Sequence, residues 1–228
     1  MSSNSVTQSR RDRIALMRQK VQQGERRRRL ITIGLSVALG AGAVGALSWG
    51  IVASRGADVA AAKLAMESAL PPWPLPADPL AGARAAGLSI AGEEGTAKHF
   101  HSHLDVFVNG ERTPVPGNIG VSESAGAMSE LHTHDEEGIL HVEAPTTDKT
   151  YTLKEVFTSW QVQLDARGIG GLKNDGTNVL KAYVNGKEIT GDPATVELTD
   201  KAQIALVYGS ADSTFTPPAT YDWSKSGV

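Results

Sequence analysis

Residues 30–53 form a run of 24 residues without one charged side chain. At a rise of about 1.5 Å per residue, such a helix is roughly 36 Å long, enough to cross a hydrocarbon core of about 30 Å with some tilt. Nine Lys and Arg side chains precede the run, among them Arg26, Arg27, Arg28 and Arg29, against only Asp12 and Glu25. Arg55 alone follows it closely. Because positive charge beside a span stays on the cytoplasmic side, residues 1–29 are expected to be a basic cytoplasmic segment, 30–53 a transmembrane helix, and the rest extracytoplasmic. A cleaved signal peptide shares the basic-then-apolar order, but its apolar region is only about 7–15 residues, so an uncleaved cell-membrane anchor is the reading adopted.

The net charge of −3 is divided by that span. The first 29 residues carry about +7 and the remainder about −10, which makes the outer part a poor nucleic-acid binder. The Arg run serves as a topology signal that also touches anionic lipid headgroups; a regulatory or nucleic-acid contact is the alternative. With no cysteine, the chain has no lipobox and no disulfide. The outer domain must hold itself together by packing or by a bound ion.

Within the span, Gly34, Ala38, Gly42, Ala46 and Gly50 recur every four residues and line one stripe, where small side chains admit a partner helix; general abundance of Gly and Ala explains the same pattern. Residues 54–97 are expected to be a Pro/Ala/Gly-rich linker. A short helix over 59–70 would end at Pro71, Pro72, Pro74 and Pro76, which impose an extended path. Trp73 and Leu75 are placed on the membrane interface or on the domain, and another helical turn or two is expected over 81–88.

From residue 98 to 217 the pattern becomes that of a β-rich domain, with a tail over 218–228. Leu104, Val106 and Val108 alternate with Asp105 and Phe107, and Asn109-Gly110 supplies a tight-turn signal. The same combination recurs over 180–187, with Asn185-Gly186 at the bend. Residues 131–144 read as a hairpin looping over 135–138. That register pairs His134 with Ile139, Thr133 with Leu140, His132 with His141, and Leu131 with Val142. One face then carries Leu131, Thr133, Leu140 and Val142; the other carries His132, His134, Ile139, His141 and Glu143. Thr152 and Glu155 match a capping box, and Leu153, Val156, Phe157 and Trp160 form the apolar stripe of the helix it opens. A Gly-rich loop over 168–176 and a final strand over 202–208 complete the domain.

All six histidines, His99, His101, His103, His132, His134 and His141, fall within 43 residues. Strand residues two apart point the same way, so a strand beginning by His99 aligns His99, His101, His103 and Asp105 toward the polar face of the hairpin. Neutral imidazole is a borderline ligand suited to zinc or copper(II), and the candidate metal ligands are His101, His103, His132, His134 and His141. Without cysteine, and with only Met128 nearby, copper(I) fits less well. Asp105, Asp135, Glu136 and Glu143 are candidate ligands or acceptors that fix an imidazole tautomer. The alternatives are histidines that hydrogen-bond one another and nearby carboxylates, or a proton-linked surface.

No helical HExxH, nucleophile elbow, phosphate loop or dinucleotide fingerprint is present. The HxH at His132 and His134 is shared with cupins, but Gly138 stands where their Glu should follow. Copper-zinc superoxide dismutases use HxH on strands too, yet their ligand order and disulfide are missing. A catalytic domain is the less favoured reading.

The run 152–208 resembles the ubiquitin-like sulfur carriers in its β-grasp layout, although the terminal Lys225, Ser226, Gly227 and Val228 lack their reactive Gly-Gly. The segments HSHLDVFVNG (101–110), LHTHDEEGILHVE (131–143), YTLKEVF (151–157) and IALVYG (204–209) together resemble a largely uncharacterised family of membrane-anchored or exported bacterial proteins, common in actinobacteria. The resemblance spans about residues 86–221 and implies an extracytoplasmic domain with a histidine hairpin and no established reaction. Relatives in that family often carry cysteines in the loop after the helix, where residues 168–176 have none.

The sequence thus predicts an α+β protein: an N-terminal transmembrane helix, then a β-grasp-like extracytoplasmic domain with one main helix and a histidine site for zinc or copper. An accessory subunit of a respiratory or cell-envelope complex, without metal chemistry of its own, is the alternative. Alkaline carbonate should leave the full-length chain in the membrane, while protease added outside should reach the domain and spare the basic N-terminus. Release of the intact chain by carbonate would refute the anchor.

Overall fold

The computed structural model describes residues 68–227. The basic segment, the 30–53 span with its small-residue stripe, and the first part of the expected linker lie outside the described residues. Among the described residues no helix is long and apolar enough to cross a membrane.

The protein is a mixed α+β structure rich in sheet. Seven strands form the main sheet: β1 (Lys98–Val108), β2 (Glu111–Thr113), β3 (Leu131–His132), β4 (Ile139–Ala144), β5 (Asn178–Val184), β6 (Lys187–Ile189) and β7 (Gln203–Ser210). Their order across the sheet is β6-β5-β7-β1-β4-β3, with β2 pairing the far end of β1. The first long strand and the last lie side by side and parallel, from Gln203 opposite His103 to Tyr208 opposite Val108. Every other pairing in this sheet is antiparallel. Both Asn-Gly signals make the expected tight turns, with Asn109 and Gly110 at φ 53° and 85° and Asn185 and Gly186 at 51° and 77°.

Helix α1 (Pro79–Ala85) starts where the Asp78 side chain accepts from the Leu80 and Ala81 amides, with Pro79 at a position that has no amide to satisfy. Helix α2 (Leu153–Trp160) carries the predicted capping box: the Thr152 side chain accepts from the Lys154 amide, and Glu155 accepts from the Thr152 amide at 2.8 Å. Leu153, Val156, Phe157 and Trp160 of α2 pack on Leu104 and Val106 of β1, Leu140 and Val142 of β4, and Ile204 and Leu206 of β7. Alternation therefore commits one face of the sheet to the main core, while the other carries the histidines and a small apolar cluster of Phe107, Ala205 and Val207.

The stretch before the sheet takes one of its two expected places, on the domain, and the Gly-rich stretch departs from the expected loop. Trp73, Leu80, Ala83 and Leu88 are buried in the main core, and Trp73 meets Trp160 edge-on at 6.0 Å between ring centroids. The proline-rich segment is thus packed against the domain at these positions, because its widely spaced apolar residues have a helix-lined surface to fill. Gly82 makes that approach possible, since a Cβ there would run into the Ser159 backbone. In the Gly-rich stretch after α2, Leu164–Asp165, Gly168–Ile169 and Leu172–Lys173 form a small antiparallel meander that buries Ile169 completely.

Trp73→Ala should lower the stability of the folded domain by about 3–5 kcal/mol, the usual cost of truncating a buried aromatic. Denaturant unfolding of the full-length protein in detergent checks this; a change within about 0.5 kcal/mol, typical of an exposed tether, would contradict the packing.

Candidate metal centre

The polar face of the sheet is built by register. His99, His101 and His103 alternate along β1 on the side away from α2, with Asp105 and Phe107 continuing the row. Antiparallel pairing sets His101 opposite His141 and His99 opposite Glu143. The next strand sets His132 opposite His141. Imidazoles from three adjacent strands therefore meet, with ring centroids 4.6 Å apart for His101 and His141 and 5.3 Å for His132 and His141.

The expected hairpin is paired at Leu131 with Val142 and at His132 with His141. Beyond His132 it opens, because the Thr133 amide donates to the Ile119 carbonyl and its carbonyl accepts from the Asn118 amide, taking up the groups that would have paired with Leu140. His134 nevertheless turns back, its ring 4.5 Å from that of His141. Gly138 closes the loop at φ 90°, where a Cβ would strike the Leu104 carbonyl. A glutamate at this position, as a cupin-like ligand set would need, has no room.

Two groups of ligand atoms result, one from His132, His134 and His141 and one from His99, His101 and Glu143, the atoms of each lying within 4.8 Å of one another. His132 Nε2 is 3.2 Å from His134 Nε2, His99 Nε2 is 3.3 Å from His101 Nε2, and His99 Nε2 is 3.5 Å from Glu143 Oε1. Two nitrogens bound tetrahedrally to one ion at about 2.0–2.1 Å stand about 3.3 Å apart, so these spacings already match the edges of a zinc or copper site. The His132 ring is oriented by its other nitrogen, Nδ1, which donates to the Ser129 carbonyl at 2.8 Å and leaves the Nε2 lone pair facing the cluster.

The electrostatics suit a cation. Burial, followed by the neighbouring His134, holds His132 down to about 3; burial, followed by His141 and His99, holds His101 down to about 4. Both are neutral at physiological pH, the form that binds metal. Burial pushes Glu143 up, but the surrounding imidazoles of His141, His132 and His99 outweigh it and keep its pKa below the usual carboxylate value. His141 Nδ1 and Glu143 Oε2 are buried without a hydrogen-bond partner among the described residues, although Nδ1 lies 3.4 Å from Glu143 Oε1 outside hydrogen-bonding geometry. An orphaned imidazole nitrogen beside an orphaned carboxylate oxygen is what a coordinated ion would satisfy. A cleft of about 190 Å³, bordered by Glu93, Glu94 and Met128, reaches His132 and Glu143.

Of the five histidines expected to bind metal, His101, His132, His134 and His141 belong to these groups, and His103 does not. The β4 residue opposite His103 is Ile139, which has no ligand atom, and both ring nitrogens of His103 are engaged: Nδ1 with Gln203 Oε1 at 2.8 Å and Nε2 with the Glu137 carbonyl at 2.7 Å. Its face stacks on Tyr221 at 3.9 Å, closing one side of a separate cavity of about 580 Å³ with Asp105 and Arg112. Asp105 is held by Arg112 at 2.8 Å and Gln203 at 3.0 Å, and Asp135 accepts from the Glu137 amide, so neither carboxylate turns to the cluster. His99 and Glu143 complete the second group; the cross-strand pairing of residues 99 and 143 is the signal that joins them.

Compared with protein-family models, curated proteins and solved structures, the chain matches none.

For the metal-free protein, the lowered values of His101 and His132 set the sign of a pH dependence. Below the ordinary value of 6.5 the unfolded chain takes up protons that the folded one refuses. Stability should be full above pH 6.5 and fall as the pH drops toward 4, read as a falling denaturant midpoint with chelator present. His101→Gln should flatten that dependence, and an unchanged slope would contradict the assignment.

Proposed function

We propose that this chain is a single-pass membrane-anchored extracytoplasmic protein whose β-grasp-like domain binds zinc or copper(II) and catalyses no reaction of its own. The observation that carries the reading is the convergence of His132, His134 and His141 from two strands and their loop, with His132 buried and pre-oriented by Ser129. Imidazole and carboxylate ligands with no thiolate favour zinc or copper(II) over softer ions. The acidic border of the cleft suits the entry of a cation.

The β-grasp reading is supported by the antiparallel pair of β1 and β4, which a long connection with further short strands joins, followed by the helix α2, the hairpin of β5 and β6, and a last strand parallel to the first. The anchor rests on the uncharged run 30–53 and the basic flank before it. Membership of the membrane-anchored bacterial family rests on the four segments that carry the resemblance. The small-residue stripe from Gly34 to Gly50 favours a second role beside metal binding, docking on a partner helix in the bilayer.

Chelator-stripped full-length protein should regain bound metal when zinc or copper(II) is added, and its melting temperature should rise; a ligand at 100 times its Kd stabilises by about 2.7 kcal/mol. His134→Ala, which removes an exposed ring, should weaken that gain at least tenfold in metal concentration. No uptake of either metal and an unmoved melting temperature would end the reading.

A further inference from the structure

The two ligand groups are not alternatives for one ion. We infer that the polar face holds two divalent transition ions side by side, one on His132, His134 and His141 and one on His99, His101 and Glu143, with the Glu143 carboxylate between them. This rests on the metal-binding reading above and fixes its stoichiometry.

Ligand supply is the first argument. Five imidazoles and one carboxylate converge, whereas a tetrahedral ion takes four protein ligands at most. The short nitrogen–nitrogen spacings fall into separate pairs, His132 with His134 and His99 with His101, whose strands pair with opposite edges of β4, the strand that carries His141. One ion satisfying one pair leaves the other two rings with only the hydrogen bond between them.

Charge is the second. Two dications a few ångströms apart repel strongly in a dry site unless an anion lies between them. Glu143 is the one carboxylate in the two groups, and its oxygens diverge: Oε1 faces His99 and His141 at 3.5 and 3.4 Å, while Oε2 lies 4.0 Å from His132 Nε2 and has no hydrogen-bond partner among the described residues. A carboxylate that offers one oxygen to each group is the bridge such a pair needs, and paired ions about 3.5–4 Å apart are an established arrangement in proteins.

The test counts ions. Full-length protein, stripped with chelator, loaded with zinc and freed of excess by gel filtration, should carry two zinc ions per chain by elemental analysis. His99→Ala and His134→Ala each remove an exposed ring from a different group, and each should bring the count to one; the double variant should bring it to near zero. Copper(II) loading should give the spin-coupled signal of neighbouring ions, replaced by an isolated-ion signal in Glu143→Gln. A wild-type count of one, or a single variant that leaves the count unchanged, overturns the two-ion inference while the metal-binding reading stands. A wild-type count of zero overturns both.

Discussion

The antiparallel register of β1 on β4 is the constraint on which the rest of the structure depends. Placing His101 opposite His141 and His99 opposite Glu143 sends Phe100 and Ser102 against Val142 and Leu140 on the other face. A slip of one residue would turn the imidazoles into the helix-packed core and the valine and leucine to the polar side. The apolar core therefore enforces the site: Leu140 and Val142 are at most 1% exposed, and their burial fixes which way His141 and Glu143 must point. Site and core are two faces of one pairing, and neither can be moved without the other.

That arrangement costs stability when no ion is present. His132 is 1% exposed, and Glu143 and His141 are buried beside it with an unpartnered atom each. Leaving a buried polar atom unpaired costs about 1–3 kcal/mol. The sheet can hold such a cluster because α2, with its capping box and its Phe157 and Trp160 side chains, supplies packing from the opposite face. A coordinated cation would take up the lone pairs that the neutral rings otherwise share in hydrogen bonds with one another, turning them into a ligand set.

Much of this was legible in the sequence, for local reasons. Period-two alternation placed the histidines on one face, the two Asn-Gly pairs marked their turns, and Thr152 with Glu155 marked the start of the helix; each signal is written in residues a few positions apart. The hairpin register was readable at Leu131 with Val142 and His132 with His141, where loop length decides the pairing. It was not readable at Thr133, because the competing partners Asn118 and Ile119 come from a segment with no strand pattern of its own. His103 shows the same limit. Its spacing makes it equal to His101, and only the neighbouring strand, offering Ile139 in place of a ligand, and the distant Gln203 and Tyr221 give it a different set of partners. For Trp73 the sequence left two places open, the membrane interface and the domain, because proline-rich sequence declares its backbone and not the surface it covers.

A chain without cysteine has no disulfide to staple it, and the position of the candidate ligands bears on what could replace one. The group of His99, His101 and Glu143 joins β1 to β4, so an ion bound there would tie together residues about forty apart in the chain. Closing a loop of that length removes unfolded-state entropy in the way a disulfide does, with an expected contribution of about 3–4 kcal/mol in the chain-entropy picture. The parallel contact of β7 on β1 then brings the C-terminal part of the domain to a strand that carries two of the six candidate ligands. If an ion binds, metal binding and the integrity of the fold are one equilibrium, because the atoms that would hold it belong to β1 and the two strands beyond it.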